Sequence, residues 1–193
     1  MKKLKEIIQE YNLDIETNPK YGTDKGYPKS YIDEFYEDKF LPLIDSEINL
    51  VEIGVRSGAS LKLWSEYFTK ALITGIDNLS DFNNHQVPIN ESWTSSDRVT
   101  FIDSDAYCQE TVDSINGKID ILIDDGPHTF QSHIELLNFY IPKMNKNGII
   151  IIEDISYDPN QLYSYVPENL QDASYVCDYG GYDNRLIVIE FNE

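Results

Sequence analysis

Seven acidic side chains stand where short β-branched runs end. They are Glu52 in Glu52-Ile53-Gly54, Asp77 in Gly75-Ile76-Asp77, Asp105 after Asp103-Ser104, Asp124 and Asp125 in Asp124-Asp125-Gly126-Pro127-His128, and the pair Glu153-Asp154. In open α/β sheets ligands bind beyond the carboxyl ends of the strands, where the strand order reverses, so these acids are expected to converge on one site. Asp125, Glu153 and Asp154 have no sulfur nearby and form a hard oxygen-donor set suited to Mg²⁺, Mn²⁺ or Ca²⁺ rather than zinc. The plainer alternative has Asp125 capping the helix after Pro127, with Glu153 and Asp154 facing water; a cluster without a cation would be repulsive, which favours the metal. His128 lies three residues after Asp125 at the helix entry, and an imidazole titrating near ~6.5 can take a proton at neutral pH. His85 and His133 are read as structural.

The segment Val51-Glu52-Ile53-Gly54-Val55-Arg56-Ser57-Gly58 reads as a strand, a glycine-bearing turn and a helix start. Gly54 and Gly58 allow a tight turn and close approach of a ligand to the backbone. Arg56 stands where the dinucleotide fingerprint needs its second glycine, so a pyrophosphate is a poor fit. Asp77 closes the second strand, where an acid accepts both hydroxyl hydrogens of a ribose. Together these favour an adenosine-containing ligand. Asp105 either meets an adenine amino group or caps a helix ahead of Ala106.

These side chains need a sheet to hold them. Strands are expected over 49–54, 72–77, 99–103, 119–124, 148–153, 174–177 and 186–191, with helices near 2–11, 31–41, 60–69, 106–115 and 130–144. Alternation of strands and helices implies a mostly parallel sheet with helices on both faces, a Rossmann-like α/β fold. Residues 178–184 leave no room for a helix, so the last two strands are expected to form an antiparallel hairpin. The polar stretch 78–97, with its single Trp93, is long for a plain connection and reads as a lid or binding loop.

Composition bounds the partners. The 193 residues carry 34 Asp and Glu against 15 Lys and Arg, a net charge of −19. That balance argues against nucleic acid, and Lys2, Lys3 and Lys5 are too few to reverse it. Fourteen Tyr and a 41% hydrophobic share belong to a folded body, and the length suits one structural domain. The longest apolar run, Ile149 to Ile152, is far short of a membrane span. No signal-peptide pattern opens the chain, and Cys108 and Cys177 lack metal-type spacing, so a cytoplasmic setting is expected.

The motifs Glu52-Ile53-Gly54-Val55, Gly58-Ala59-Ser60-Leu61 with Trp64, Gly75-Ile76-Asp77, Asp124-Asp125-Gly126-Pro127-His128 and Ile152-Glu153-Asp154 resemble the class I S-adenosylmethionine-dependent methyltransferases. More narrowly the chain is similar to the metal-dependent sugar O-methyltransferases of macrolide biosynthesis, the mycinamicin and tylosin type. Gly22-Thr23-Asp24-Lys25-Gly26 and Ser30-Tyr31 resemble the segment preceding the catalytic part there. The resemblance implies a seven-stranded core over 46–193 under a short N-terminal helical, substrate-side cover over 1–45, in place of that family's long N-terminal extension. It places Glu52, Gly54, Gly58, Ser60, Asp77, Asp105 and Asp124 on S-adenosylmethionine, Asp125, Glu153 and Asp154 on Mg²⁺ or Mn²⁺, and makes His128 the general base. The chain departs from the family pattern at Lys29, in place of His, and at Pro127, in place of Ser. The implied partner is a small-molecule acceptor, foremost a sugar hydroxyl. A catechol-like acceptor and a non-catalytic cofactor-binding module are the alternatives, and a homo-oligomer is compatible with either.

Overall fold

The computed structural model describes residues 2–80 and 87–192. Seven strands form one sheet: β1 (Asn49–Ile53), β2 (Leu72–Asp77), β3 (Val99–Asp103), β4 (Ile119–Asp124), β5 (Met144–Ile152), β6 (Ser174–Asp178) and β7 (Arg185–Glu190), in the order β3-β2-β1-β4-β5-β7-β6. The first five are parallel, and β7 is antiparallel to both β5 and β6, which gives the expected closing hairpin. The order reverses between β1 and β4, and that switch point lies at the carboxyl ends that carry the acids.

Strand alternation divides the core into two layers. On one face Leu50, Ile73, Ile121, Ile123, Ile149, Ile151 and Val188 pack against α1 (Leu4–Tyr11), α2 (Glu37–Phe40) and α3 (Ala59–Tyr67), with Phe40 and Trp64 fully buried between them. On the other Val51, Ile53, Leu122, Ile150, Ile152 and Ile187 meet α5 (Gln109–Ser114) and α6 (Phe130–Tyr140). Near-continuous isoleucine in β5 reflects burial on both faces, at about 1.5–3 kcal/mol per fully buried side chain. The apolar residues of 1–45 join the first layer directly.

Several element boundaries moved for local reasons. Residues 31–41 are not uniformly α-helical: Ile32–Tyr36 is a π-helical turn, in which Glu37 N–H reaches Ile32 O, and it leads into α2. Tyr31 and Tyr36 stand at the two ends of that turn and donate to Asp154 and Glu153. Helix α6 stops at Tyr140 because Pro142 follows, and a 3₁₀ turn over Ile141–Lys143 finishes it. Asp105 does not cap a helix; its Oδ1 accepts from Tyr107 N–H in a local turn, and α5 starts only at Gln109. In the stretch 78–97, Asn90 caps the short α4 (Glu91–Thr94), while His85 lies outside the described residues.

Candidate functional site

A cleft of about 730 Å³ opens over the switch point, lined by the β1 turn, Asp77, Asp105, Tyr107 and residues 125–129, with Asp154 at one side. The turn is built from left-handed residues: Gly54 at φ 80°, Arg56 at 49° and Gly58 at 92°. A Cβ on Gly54 would stand 1.9 Å from the Asp125 carbonyl oxygen, so β1 and β4 approach closely only with glycine there. The turn presents the N–H groups of Val55 and Arg56 to Asp77 Oδ2, at 3.0 and 2.9 Å, while Leu79 N–H donates to Oδ1 at 2.7 Å. The anion-binding concavity is thus filled by the protein's own carboxylate, which accounts for the poor match to a pyrophosphate. Asp77 still faces the cleft with acceptor capacity left.

The carboxylates segregate by strand parity. Glu52 and Glu153 follow Val51 and Ile152 and point into the first core layer. There they surround Lys25, whose side chain is fully buried with Nζ 2.7 Å from Asp125 Oδ2, 2.8 Å from Glu153 Oε1 and 3.3 Å from Glu52 Oε1. Tyr36 OH also donates to Glu153 Oε1, and Trp64 Nε1–H donates to Glu52 Oε2 at 3.2 Å, with Ser60 beside it. Burial pushes the Glu153 carboxyl well up and raises Glu52, with Lys25 opposing both; burial pulls Lys25 down, but the three carboxylates more than offset it. Asp124 points to the opposite layer, accepting from Tyr107 OH at 2.7 Å and Gly126 N–H at 3.2 Å; burial raises its pKa to about 6. Its Oδ2 lies 3.9 Å from His133 Nε2, and His133 bonds Tyr157 OH through Nδ1.

Only Asp125, His128 and Asp154 bring ligating atoms within 4.8 Å of one another among the described residues. His128 Nε2 lies 3.7 Å from Asp125 Oδ1 and 4.0 Å from Asp154 Oδ2, and its Nδ1 is buried without a hydrogen-bond partner among the described residues. His128 and Asp154 both hold left-handed backbone, at φ 53° and 58°, a cost that concentrates at functional sites. Tyr31 OH donates to Asp154 Oδ1 at 2.8 Å. Of the expected metal residues, then, Asp125 and Asp154 meet at the cleft, whereas Glu153 is turned away to Lys25. Of the expected cofactor residues, Gly54, Ser60, Asp77 and Asp105 line the cleft; Glu52 and Asp124 lie behind it, and Gly58 caps α3. Sequence reading gave no role to Lys25, Tyr36 or Tyr107. Their signal was available only in part: parity along β1, β4 and β5 already separates Glu52 and Glu153 from Asp124.

The residues present fit an adenosine-bearing ligand along the glycine turn and a hard cation between two carboxylates. Sheet order, glycine turn and strand-end acids define a Rossmann-like methyltransferase fold. The chain belongs to the class I S-adenosylmethionine-dependent methyltransferases, and the family described as "Methyltransferase domain" matches residues 51–155. It is 32% identical over 153 residues to 8-demethyl-8-alpha-L-rhamnosyl tetracenomycin-C 2'-O-methyltransferase of Streptomyces olivaceus, covering 72% of this chain and 37% of that protein. It is 26% identical over 151 residues to mycinamicin VI 2''-O-methyltransferase of Micromonospora griseorubida, covering 72% and 35%. The chain therefore spans little more than a third of the length of these curated relatives. Its fold superposes on the MycE methyltransferase in complex with Mg, SAH and mycinamycin VI with a TM-score of 0.73 at 20% identity, covering 100% of this chain and 54% of that one.

Proposed function

We propose that the chain is the catalytic core of an S-adenosylmethionine-dependent O-methyltransferase that acts on a hydroxyl of a sugar or glycosylated small molecule. The observation that carries this is His128 Nε2 facing Asp125 and Asp154 on the rim of the cleft that the glycine turn and Asp77 wall. The names of the sugar O-methyltransferase relatives support the acceptor class.

When bound, S-adenosylmethionine supplies an electrophilic methyl and a divalent ion supplies acidification of the acceptor hydroxyl. Asp77 orients the ribose and Gly54 admits the donor against the backbone. Asp125 and Asp154 hold the cation, with Lys25 and Tyr31 fixing their carboxylates. His128 takes the hydroxyl proton at Nε2. Holding both partners in line supplies much of the remaining rate.

The test is transfer of a labelled methyl from S-adenosylmethionine to rhamnoside and deoxysugar acceptors with Mg²⁺. Product that EDTA abolishes and Mg²⁺ or Mn²⁺ restores is expected. Full activity after EDTA treatment would remove the metal from the mechanism, and turnover confined to catechols would move the acceptor class.

A further inference from the structure

Lys29 lies against Asp154, one of the two carboxylates that face His128. Its Nζ is 3.1 Å from Asp154 Oδ2, the same oxygen that faces His128, and 2.6 Å from Asp183 Oδ1 in the β6–β7 connection. The side chain is 8% exposed, so water screens the ammonium little. Asp183 reinforces the arrangement through its backbone, whose carbonyl accepts from Tyr31 OH at 3.2 Å.

We propose that Lys29 is a built-in competitor for the divalent cation at Asp154, and that Asp183 sets its strength by sharing the ammonium. The inference rests on the reading that Asp125 and Asp154 hold the ion. A cation reaching Asp154 Oδ2 must displace the ammonium or accept a carboxylate whose charge is already partly neutralised. Affinity is thereby held down, and occupancy follows the free concentration of the ion. Lys25 does not act this way: it holds Asp125 from behind through Oδ2, is shared with Glu52 and Glu153, and leaves Asp125 Oδ1 toward the cleft.

Mn²⁺ binding to the full chain, measured by calorimetry and by loss of the free-ion electron paramagnetic resonance signal, decides the matter. Lys29→Met should lower the Mn²⁺ dissociation constant by about tenfold or more, as expected on removing a nearby like charge from a poorly screened site. Asp183→Asn should raise it by roughly threefold, because the ammonium then falls wholly on Asp154. Lys29→Arg should stay near the parent value. Lys5→Met removes an equal charge from the exposed Lys5–Asp33 pair and should change nothing, which separates local competition from net charge. If the parent binds Mn²⁺ and Lys29→Met binds it equally, the competition is refuted while the cation site stands. If neither binds, the cation reading falls and the inference with it; binding gained only in Lys29→Met supports the competition. Should Lys29→Met fail to fold by circular dichroism, Asp183→Asn decides alone, and unchanged or tighter binding there overturns the proposal.

Discussion

Replacing Lys25 by Met tests whether one buried ammonium holds the strand ends together. Lys25 reaches Asp125 and Glu153 across 100 and 128 residues of sequence, and Glu52 as well, with its own side chain, Glu52 and Glu153 essentially without solvent contact. Methionine keeps the volume and the stem packing but strands the carboxylates without a cation. Removing one partner of a buried ion pair costs about 3–5 kcal/mol. For a domain of this size that corresponds to a fall in Tm of roughly 10 °C. Burial already raises Glu52, Asp125 and Glu153, and Lys25 is the group that opposes the rise in all three. Without it their folded-state pKa values climb further above the unfolded ones. Stability from such groups is present at low pH and lost as pH rises through the folded value, so the deficit of the variant is larger at pH 8 than at pH 5.5. Urea titration followed by the fluorescence of Trp64, which touches Glu52 through its indole N–H, reports the change at the cluster. A variant within about 1 kcal/mol of the parent at pH 7.5, or a deficit that does not grow with pH, would refute the argument.

Three other outcomes follow from the same geometry. His133 is buried and its pKa is lowered to about 3, so the folded state resists its protonation and stability drains as pH falls below about 6.5; His133→Gln should recover about 3 kcal/mol of the loss between pH 7 and pH 4, read from urea midpoints at both values. Gly54→Ala meets both a φ of 80° and the Asp125 carbonyl, so it should cost more than about 3 kcal/mol and abolish S-adenosylhomocysteine binding; Gly180→Ala, at φ 81° with open space around it, should cost about 1 kcal/mol, separating backbone strain from collision in thermal melts. His128→Gln should lower kcat by about 10²–10⁴ with the S-adenosylmethionine dissociation constant nearly unchanged, and a matching loss in binding would show that His128 serves the cofactor instead.

The sheet was legible because isoleucine-rich strands such as Ile149–Ile152 can only be buried on both sides, and because glycine turns and acids mark their carboxyl ends. The acids were legible as a group but not as individuals. Adjacent residues on a strand point to opposite faces, and at these strand ends Asp124 and Asp125, like Glu153 and Asp154, meet different partners. Parity carried that distinction in the sequence; what lay outside it was the partner, since no spacing announces that Lys25 will meet Glu153 or that Tyr31 will meet Asp154 from 123 residues away. The π-helical turn at Ile32–Tyr36 was likewise hidden, because its residues have ordinary helical composition and tertiary pairing of Tyr31 and Tyr36 with the acids accompanies the extra residue in the turn. Lys29 stood out as a departure from the family pattern, and its meaning came only from the distance to Asp154.

An anomalous difference map from crystals grown with Mn²⁺ and S-adenosylhomocysteine bears most directly on the central claim. A single strong peak bound by both Asp125 and Asp154 beside His128 is expected, with the nucleoside along Gly54 and its ribose on Asp77. A cleft holding the nucleoside with no peak between those carboxylates, at saturating Mn²⁺, would contradict it.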